Sequence, residues 1–386
     1  MLSCKIELVI YTAMCQRWMK TLLPILVLSV MITACGKVQS TDEPLPPVYK
    51  PSLIISSDNQ IVYSFDAVNG NKNWEYNVNG PVVASPYIID TTLYIITTSG
   101  SVHKLNPKTG KEVKTYYLAP NITSTPIGDD IRLYVGSGDN HMYSIYRPTD
   151  SIIWSFNTNG PINSSPTISN NQLIFGSNDG SVYSVDKVNG MQIWKFTTVP
   201  AQPFISSPLV SGNNVYIGCV NDSMYCLDLA TGNRRWAFPT GASIEGSPIV
   251  QGGNLLFGGD DNLFYCIDTA TVRVRWIDTT TNRIYSTPIA GDNLVFAGCY
   301  DTYMYAFNIL QGSKKFKVQT GGLIKTSPIL YNGRLYFGSY DKSMYCVDTS
   351  NANIIWKQSV NGAIQCSPII DDFAGKIYNS NINGTN

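Results

Sequence analysis

The chain has 386 residues, with 27 basic and 27 acidic side chains, and only 14% of its residues are charged. This balance provides neither a basic stripe nor an acidic tail, so we expect no nucleic-acid partner. The nine cysteines show no Cys-x-x-Cys spacing and only two histidines occur, so the composition predicts no zinc site.

Residues 1–35 have the features of a secretion signal that ends at a cysteine. Met19-Lys20 supplies a small positive start, and the apolar run at 21–31 is too short for a comfortable membrane-spanning helix. Residues 1–18 fit poorly as a charged leader, so Met19 is an alternative start of translation. The region as a whole predicts export to the cell envelope.

The end of this region, Ile32-Thr33-Ala34-Cys35, resembles the lipobox of bacterial lipoproteins. The resemblance implies cleavage before Cys35 and lipid on Cys35, whereas the alternative is an ordinary signal with a fortuitous cysteine. Gly36 stands where an aspartate would suggest inner-membrane retention, so we predict a lipid anchor in the outer membrane, facing the periplasm. Residues 36–52 contain four prolines among polar residues and predict a flexible tether.

A repeat begins after the tether. A Ser or Thr before proline recurs in steps of 40 residues, with one step of 42, at Ser85, Thr125, Ser165, Ser207, Ser247, Thr287, Ser327 and Ser367. A ring residue recurs in the same steps at Tyr63, His103, Tyr143, Tyr183, Tyr225, Tyr265, Tyr305 and Tyr345. In six repeats a Trp follows that ring by 11 residues, while Lys114 and Phe316 fill the other two slots. A fixed period near 40 residues is typical of a repeat architecture.

Each repeat contains four short segments rich in β-branched and aromatic residues, punctuated by turn residues and without a helical period. This pattern predicts an all-β, eight-bladed β-propeller of four-stranded antiparallel blades over residues 53–386. Tyr63 has no Ser-Pro before it, and Ser367 has no ring residue after it. We therefore expect the C-terminal strand around 367–370 to pair with the N-terminal blade and close the ring.

The sequence leaves two structural points open. Residues 376–382 are a candidate for a further strand, but residues 53–57 compete for the same place. Cys219 and Cys226 lie on adjacent predicted strands, where a disulfide is possible in an oxidising envelope. The alternative is that these cysteines act as small packing residues, because other repeats place Ser in the same slots.

The fold explains most of the repeated residues. We expect the Trp and Tyr residues to pack between sheets, and glycines such as Gly176 to allow close approach of neighbouring sheets. Asp179 and its equivalents lie in a turn and can bond their own backbone. A calcium site is the alternative use, but each turn supplies one carboxylate and calcium takes six or more oxygens. His103 occupies a repeated ring slot, so we expect a packing role for it.

One position varies while its neighbours are constant. Two residues before the recurrent Ser/Thr, the later repeats carry a polar arc that the fold does not demand: Glu245, Tyr285, Lys325 and Gln365. If the inner strand lines the channel, this arc lies at one mouth. The single two-residue insertion falls in loop 197–204, with Pro200 and Pro203. We hypothesise that arc and loop contact a protein partner; the alternative is an idle solvated rim.

Runs of the form Asp-x-x-x-Gly-x-x-x-Trp begin at Asp66, Asp186 and Asp228, and they resemble the PQQ-like β-propeller family. The resemblance covers residues 53 to about 382. With its lipobox and a ring that carries nearly no insertions, the chain is most similar to the propeller lipoproteins of the outer-membrane β-barrel assembly machinery. This similarity implies a non-catalytic envelope scaffold without a cofactor or metal, with barrel-assembly components as its protein partners.

The family also contains PQQ-dependent dehydrogenases, which form the alternative class. Those enzymes resemble this ring but carry longer insertions, and many have an adjacent cysteine pair; this chain has nearly no insertions and no adjacent cysteines. No acidic and amide residues stand outside the repeat pattern as a calcium and base constellation, and no Gly-x-Ser-x-Gly occurs. A small-ligand or carbohydrate-binding propeller remains a further option.

Overall fold

The computed structural model describes residues 50–380, and the regular elements in that range are all β-strands. Within that range, no helix is long and apolar enough to cross a membrane. The predicted signal region, the lipidation site at Cys35 and nearly all of the tether lie outside the described residues.

The strands form eight antiparallel sheets arranged as blades. Blade 1 contains β1 (Ser52–Ser56), β2 (Ile61–Asp66), β3 (Lys72–Asn77), β32 (Ile369–Asp371) and β33 (Ile377–Asn379). Blade 2 contains β4 (Tyr87–Ile89), β5 (Thr92–Ile96), β6 (Ser101–Leu105) and β7 (Glu112–Tyr117). Blade 3 contains β8 (Ile127–Gly128), β9 (Arg132–Gly136), β10 (His141–Tyr146) and β11 (Ser151–Asn157). Blade 4 contains β12 (Thr167–Ser169), β13 (Gln172–Gly176), β14 (Ser181–Asp186) and β15 (Gln192–Thr197).

The other blades follow in chain order. Blade 5 contains β16 (Leu209–Ser211), β17 (Asn214–Cys219), β18 (Ser223–Asp228) and β19 (Arg234–Pro239). Blade 6 contains β20 (Ile249–Gln251), β21 (Asn254–Gly258), β22 (Leu263–Asp268) and β23 (Val274–Thr279). Blade 7 contains β24 (Ile289–Gly291), β25 (Leu294–Gly298), β26 (Tyr303–Asn308) and β27 (Lys314–Gln319). Blade 8 contains β28 (Ile329–Tyr331), β29 (Arg334–Ser339), β30 (Ser343–Asp348) and β31 (Ile354–Ser359). The predicted eight-bladed propeller is confirmed.

Blade 1 closes the ring with strands from both ends of the repeat region. Its strand order is β3-β2-β1-β32-β33, and β1 pairs with β32 through Leu53 opposite Ile370. The predicted closure is therefore confirmed. The two segments that competed in the sequence are both used: β1 is the second strand of the usual four, and β33 adds a fifth strand on the channel side of β32. Closure pairs edges that would otherwise be exposed.

At five of the eight seams between blades, the recurrent Trp packs against a glycine of the next blade and locks the two blades together. In blade 1 the Trp74 indole N–H donates to the carbonyl of Pro107 at 3.0 Å, and the ring lies against Gly110 of blade 2. A Cβ on Gly110 would come within 2.6 Å of the indole, and its φ of +67° also favours glycine. The same lock joins Trp154 to Gly190, Trp194 to Gly232, Trp276 to Gly312 and Trp356 to Gly70. The Gly and the Trp of the Asp-x-x-x-Gly-x-x-x-Trp motif thus make contacts between neighbouring blades.

The seam between blades 2 and 3 replaces this lock with ion pairs. Lys114 fills the Trp slot, and Asp150 fills the glycine slot of blade 3 with φ of +62°. The Asp150 carboxylate, with only 4% of its side chain exposed, lies 2.8 Å from Lys104 and 2.7 Å from Lys114. His103, the neighbour of Lys104 in β6, is buried against blade 1 instead: its ring lies 5.8 Å from that of Tyr76, and its Nδ1 lies 2.9 Å from Thr115 Oγ1. At this seam a lysine and an aspartate therefore occupy the two slots that hold Trp and Gly at the five locked seams.

The turn aspartates hold their own loops, as the sequence predicted. Asp179 accepts the Ser181 backbone N–H at 2.9 Å through one carboxylate oxygen and the Tyr183 hydroxyl at 2.6 Å through the other. The predicted close approach at Gly176 is also present, since a Cβ there would meet Phe204 at 2.7 Å. Among the described residues, no cluster of three or more His, Cys, Asp or Glu is placed to hold a metal ion.

All six described cysteines are free and buried. Cys219 is opposite Ser223 in the ladder, whereas Cys226 is opposite Tyr216, so the two thiols are not cross-strand neighbours. The possible Cys219–Cys226 disulfide is therefore absent, and packing is the use that the fold makes of these residues. Burial raises the pKa of the Cys219 thiol to about 11 and that of Cys226 to about 12.

Candidate functional site

The innermost strands surround a central channel, and hydrogen bonds join the Ser or Thr residues two positions before these strands at seven of the eight blade junctions. Each bond runs from the backbone N–H of the Ser or Thr before proline to the hydroxyl of its equivalent in the next blade. Seven such bonds of 3.0–3.1 Å link Ser85 to Thr125, Thr125 to Ser165, Ser165 to Ser207, Ser207 to Ser247, Thr287 to Ser327, Ser327 to Ser367 and Ser367 to Ser85. This ring explains why the repeat keeps a hydroxyl at that position.

β33 lies inside the channel and divides its free space. Cavities of about 620 Å³ and 530 Å³ are both lined by the innermost strands and by residues of the 375–380 segment. Tyr378 of β33 packs edge-on against Tyr331 of blade 8, with ring centroids 4.8 Å apart. The channel is therefore partly filled by the chain's own C-terminal region.

The lining of these cavities does not fit pyrroloquinoline quinone. The quinone is a tricarboxylate, and a site for it needs cations. The lining residues include Asp90, Asp129 and Asp130 but no arginine, and Lys376 is the one lysine among them. Isoleucine, proline and serine supply most of the remaining surface.

The mouth where the innermost strands begin, hereafter the Ser-Pro mouth, is framed by three equivalent slots per blade. Slot one is the variable position two residues before the Ser/Thr. Slot two lies two residues before slot one, and therefore four before the Ser/Thr. Slot three follows the second strand, and in every blade its N–H donates to the slot-two carbonyl, as in Thr98 to Pro81 at 2.8 Å and Tyr300 to Arg283 at 3.1 Å. Slots two and three are thus joined by the same backbone hydrogen bond in all eight blades, while their side chains differ.

Charged and aromatic residues concentrate in these slots on three consecutive blades, and blade 1 adds one exposed acid, Asp58, in slot three. Blades 2 to 5 carry small or uncharged residues: Val83, Thr123, Asn163 and Ile205 in slot one, and Thr98, Gly138, Asn178 and Val220 in slot three. Blades 6 to 8 carry six residues that we call the mouth cluster: Glu245, Asp260, Arg283, Tyr285, Tyr300 and Lys325. Tyr340 extends the cluster in blade 8. The same backbone accepts neutral residues elsewhere, so the fold does not require these side chains.

Three of the four predicted arc residues are in contact. The Tyr285 hydroxyl donates to the Glu245 carboxylate of the preceding blade. The Lys325 ammonium lies 5.4 Å from the centroid of the Tyr285 ring. Gln365 occupies the equivalent slot in blade 1 but makes no side-chain hydrogen bond with the described residues.

The sequence reasoning missed the second layer of the cluster. The rings of Tyr285 and Tyr300 stack with centroids 5.5 Å apart, and the Arg283 guanidinium lies 4.8 Å from the Tyr300 centroid. Arg283 also lies 4.0 Å from the Asp260 carboxylate. Comparing slots two and three across the repeats, as was done for slot one, would have found these residues.

Burial sets the electrostatics of the cluster. It raises the pKa of the Glu245 carboxyl, and the charge on Asp260 adds to the rise. It lowers the pKa of the Lys325 ammonium and raises that of the Tyr300 hydroxyl to about 12. Tyrosine and arginine in half-buried positions are typical anchors of protein interfaces, so this arrangement is suited to binding.

The predicted loop 197–204 lies on the same face of the ring as the Ser-Pro mouth, because it connects an outermost strand to an innermost one. Its base is fixed: the Pro203 carbonyl accepts the Val220 N–H at 3.2 Å, and Gln202 N–H donates to Thr198 at 2.9 Å. Its tip is open, since Val199 is 96% exposed and Pro200 beside it is also exposed. A firmly held loop therefore presents an apolar tip to solvent.

A family model described as outer membrane protein assembly factor BamB matches residues 27–127, 98–247 and 220–328, which is well over half of the chain. The chain belongs to the BamB family. No curated protein matches it.

Solved structures share the fold at low sequence identity. BamB from Moraxella catarrhalis is 18% identical, with a TM-score of 0.66 over 76% of this chain and 95% of that one. The computationally designed Ika8 protein is 14% identical, with a TM-score of 0.67 over 77% and 95% of the two chains. Quinohemoprotein alcohol dehydrogenase ADHIIG from Pseudomonas putida HK5 is 12% identical, with a TM-score of 0.65 over 76% and 70%. At these identities the likeness establishes the propeller fold alone.

Proposed function

We propose that this protein is a non-catalytic envelope lipoprotein, anchored through Cys35 in the outer membrane, that holds a protein partner during outer-membrane protein assembly. Membership of the BamB family supports the assembly role, and the sequence signature at the signal region supports the anchor. The observation that carries the proposal is the mouth cluster, where half-buried tyrosines and charged residues occupy slots that hold neutral residues in blades 2 to 5.

The partner surface that we propose combines the mouth cluster with loop 197–204. Tyrosine and arginine supply contact area and hydrogen bonds at the cluster, and Val199 supplies an apolar contact at the loop tip. Both elements are held by hydrogen bonds to the ring, so little ordering entropy is lost on binding.

The quinoprotein alternative is supported by the fold alone, because the channel lining carries one lysine and no arginine for a tricarboxylate cofactor. Titration of the purified protein with pyrroloquinoline quinone and calcium tests this alternative. Cofactor binding together with dye reduction in the presence of an alcohol would favour an enzyme.

Site-specific photo-crosslinking in intact cells tests the scaffold proposal. A photoreactive amino acid at Val199 should capture barrel-assembly proteins, identified by mass spectrometry. The matched control position is Met191, which is 69% exposed and lies in the turn before β15, at the opposite end of that strand from Val199. Capture from position 199 should fall when Glu245 and Lys325 are both replaced by Ala. Equal capture from both positions, or none from either with the protein in the membrane, would contradict the proposal.

A further inference from the structure

The mouth cluster contains two cations without a close acceptor. Lys325 is half-buried, and its ammonium makes no hydrogen bond or ion pair with any described residue. Arg283 is 46% exposed, donates no side-chain hydrogen bond to another described residue, and lies 4.0 Å from its nearest carboxylate. An ammonium carries three donors and a guanidinium five. This mouth therefore has unused donor capacity.

Two other arginines of similar exposure behave differently, although Arg234 and Arg273, which are also exposed, make no ion pair with a described residue. Arg235 and Arg275, on the outermost strands of blades 5 and 6, each hold a carboxylate at 2.5 Å, from Asp228 and Asp268 respectively. They are about as exposed as Arg283, at 43% each. Exposure alone therefore does not explain why Arg283 lacks a close acid.

The acids of the cluster are not equally open to a ligand. The Glu245 carboxylate already accepts the Tyr285 hydroxyl. One Asp260 oxygen has no partner among the described residues, but it is buried, so a partner at the surface cannot reach it. Within the mouth cluster, the accessible, unused groups are consequently donors, which call for an acceptor; the exposed acid Asp58 lies outside the cluster, in slot three of blade 1.

We propose that Arg283 and Lys325 bind a carboxylate carried by an extended segment of the protein partner. This inference rests on the proposed scaffold function and specifies its chemistry. The guanidinium is planar and can bond both oxygens of a carboxylate, and the Tyr285–Tyr300 stack holds the two cations in place through cation–π contacts. A half-open rim suits a macromolecule better than a free small carboxylate, since small-ligand sites bury most of their ligand.

Panning a library of random 12-residue peptides, displayed on phage, against the purified full-length protein tests this inference. We expect enrichment of Asp or Glu at one fixed position. The affinity of a synthetic consensus peptide should fall about tenfold or more with Arg283→Gln or with Lys325→Gln. Replacing the peptide's acid by its amide should give a similar loss, and the two changes combined should be less than additive.

Lys317→Gln is the matched control. Its ammonium also lies over a tyrosine, 3.7 Å from the Tyr303 centroid, but on the outermost strand of blade 7. It should change peptide affinity less than twofold. The inference fails if no peptide is enriched, if the enriched peptides lack an acid, or if Arg283→Gln and Lys325→Gln leave affinity unchanged. Competition by millimolar acetate as strong as that by the peptide would instead indicate a small-carboxylate site.

The two proposals fail separately. If position 199 captures assembly proteins while Arg283→Gln and Lys325→Gln leave that capture intact, the scaffold function stands and the carboxylate inference is wrong. If position 199 captures none of them while acidic peptides still bind and require Arg283, the mouth binds carboxylates but the assembly role is wrong.

Discussion

Asp150→Asn is the substitution that should most weaken the ring at a single seam. The carboxylate of Asp150 joins Lys104, whose side chain is 13% exposed, and Lys114, whose side chain is 49% exposed. Removing one member of a buried ion pair leaves the other charge uncompensated and costs about 3–5 kcal/mol. Because Lys114 can reach water, we expect the lower end of that range, about 3 kcal/mol.

This magnitude converts to a measurable change in melting temperature. The entropy of unfolding is about 2.1 cal/mol/K per residue, which gives about 0.7 kcal/mol/K for a ring of roughly 330 residues. Asp150→Asn should therefore lower the melting temperature by about 4 °C in differential scanning calorimetry. Asp222→Asn is the matched control, because Asp222 also has a left-handed backbone, with φ of +61°, but is exposed. Its effect should stay within about 0.5 kcal/mol.

Restoring the usual lock should rescue the seam. Lys104→Ser, Lys114→Trp and Asp150→Gly together recreate the residues that other blades use. Replacing a buried ion network by well-packed apolar groups is often neutral or stabilising, so the triple variant should melt at or above the wild-type temperature. A wild-type melting temperature for Asp150→Asn, or a triple variant no more stable than Asp150→Asn, would refute this account of the seam.

Three further predictions concern the repeat. Gly190→Ala should lower the free energy of unfolding in urea by about 2–3 kcal/mol, because the new Cβ would lie 2.7 Å from Trp154. Gly212→Ala, with open space around it, should lower the free energy of unfolding by only about 1 kcal/mol. Equal losses would contradict the Trp–Gly lock. Ser367→Ala removes the hydroxyl that accepts the Ser327 N–H and should cost about 1 kcal/mol by the same assay, so an unchanged midpoint would show that the ring of hydroxyls is dispensable. The six described thiols, buried and with raised pKa, should resist iodoacetamide at pH 8 until the protein unfolds. Labelling of any of these six in the native protein, mapped by mass spectrometry, would show that the ring opens.

The sequence was informative wherever a residue acts within its own repeat. Asp179 bonds its own turn, and Tyr183 four residues later bonds the same carboxylate, so a short spacing carried the information. Slot one showed its variation directly, because Glu245, Tyr285 and Lys325 stand out against an aligned repeat. Arg283 and Tyr300 also stand out when slots two and three are compared across the repeats, but their contact depends on a backbone hydrogen bond between the two slots, which the sequence does not reveal.

The sequence by itself determined the period, the strand character, the number of blades and the closure of the ring, because local propensity and 40-residue spacing are properties of the chain. Only the tertiary structure decided that β33 enters the channel, that Lys114 meets Asp150, and that two stacked tyrosines lie between Arg283 and Lys325. Each of these contacts joins different repeats or distant strands. Such residues become neighbours only when adjacent blades pack and the ring closes, and no local pattern specifies that packing.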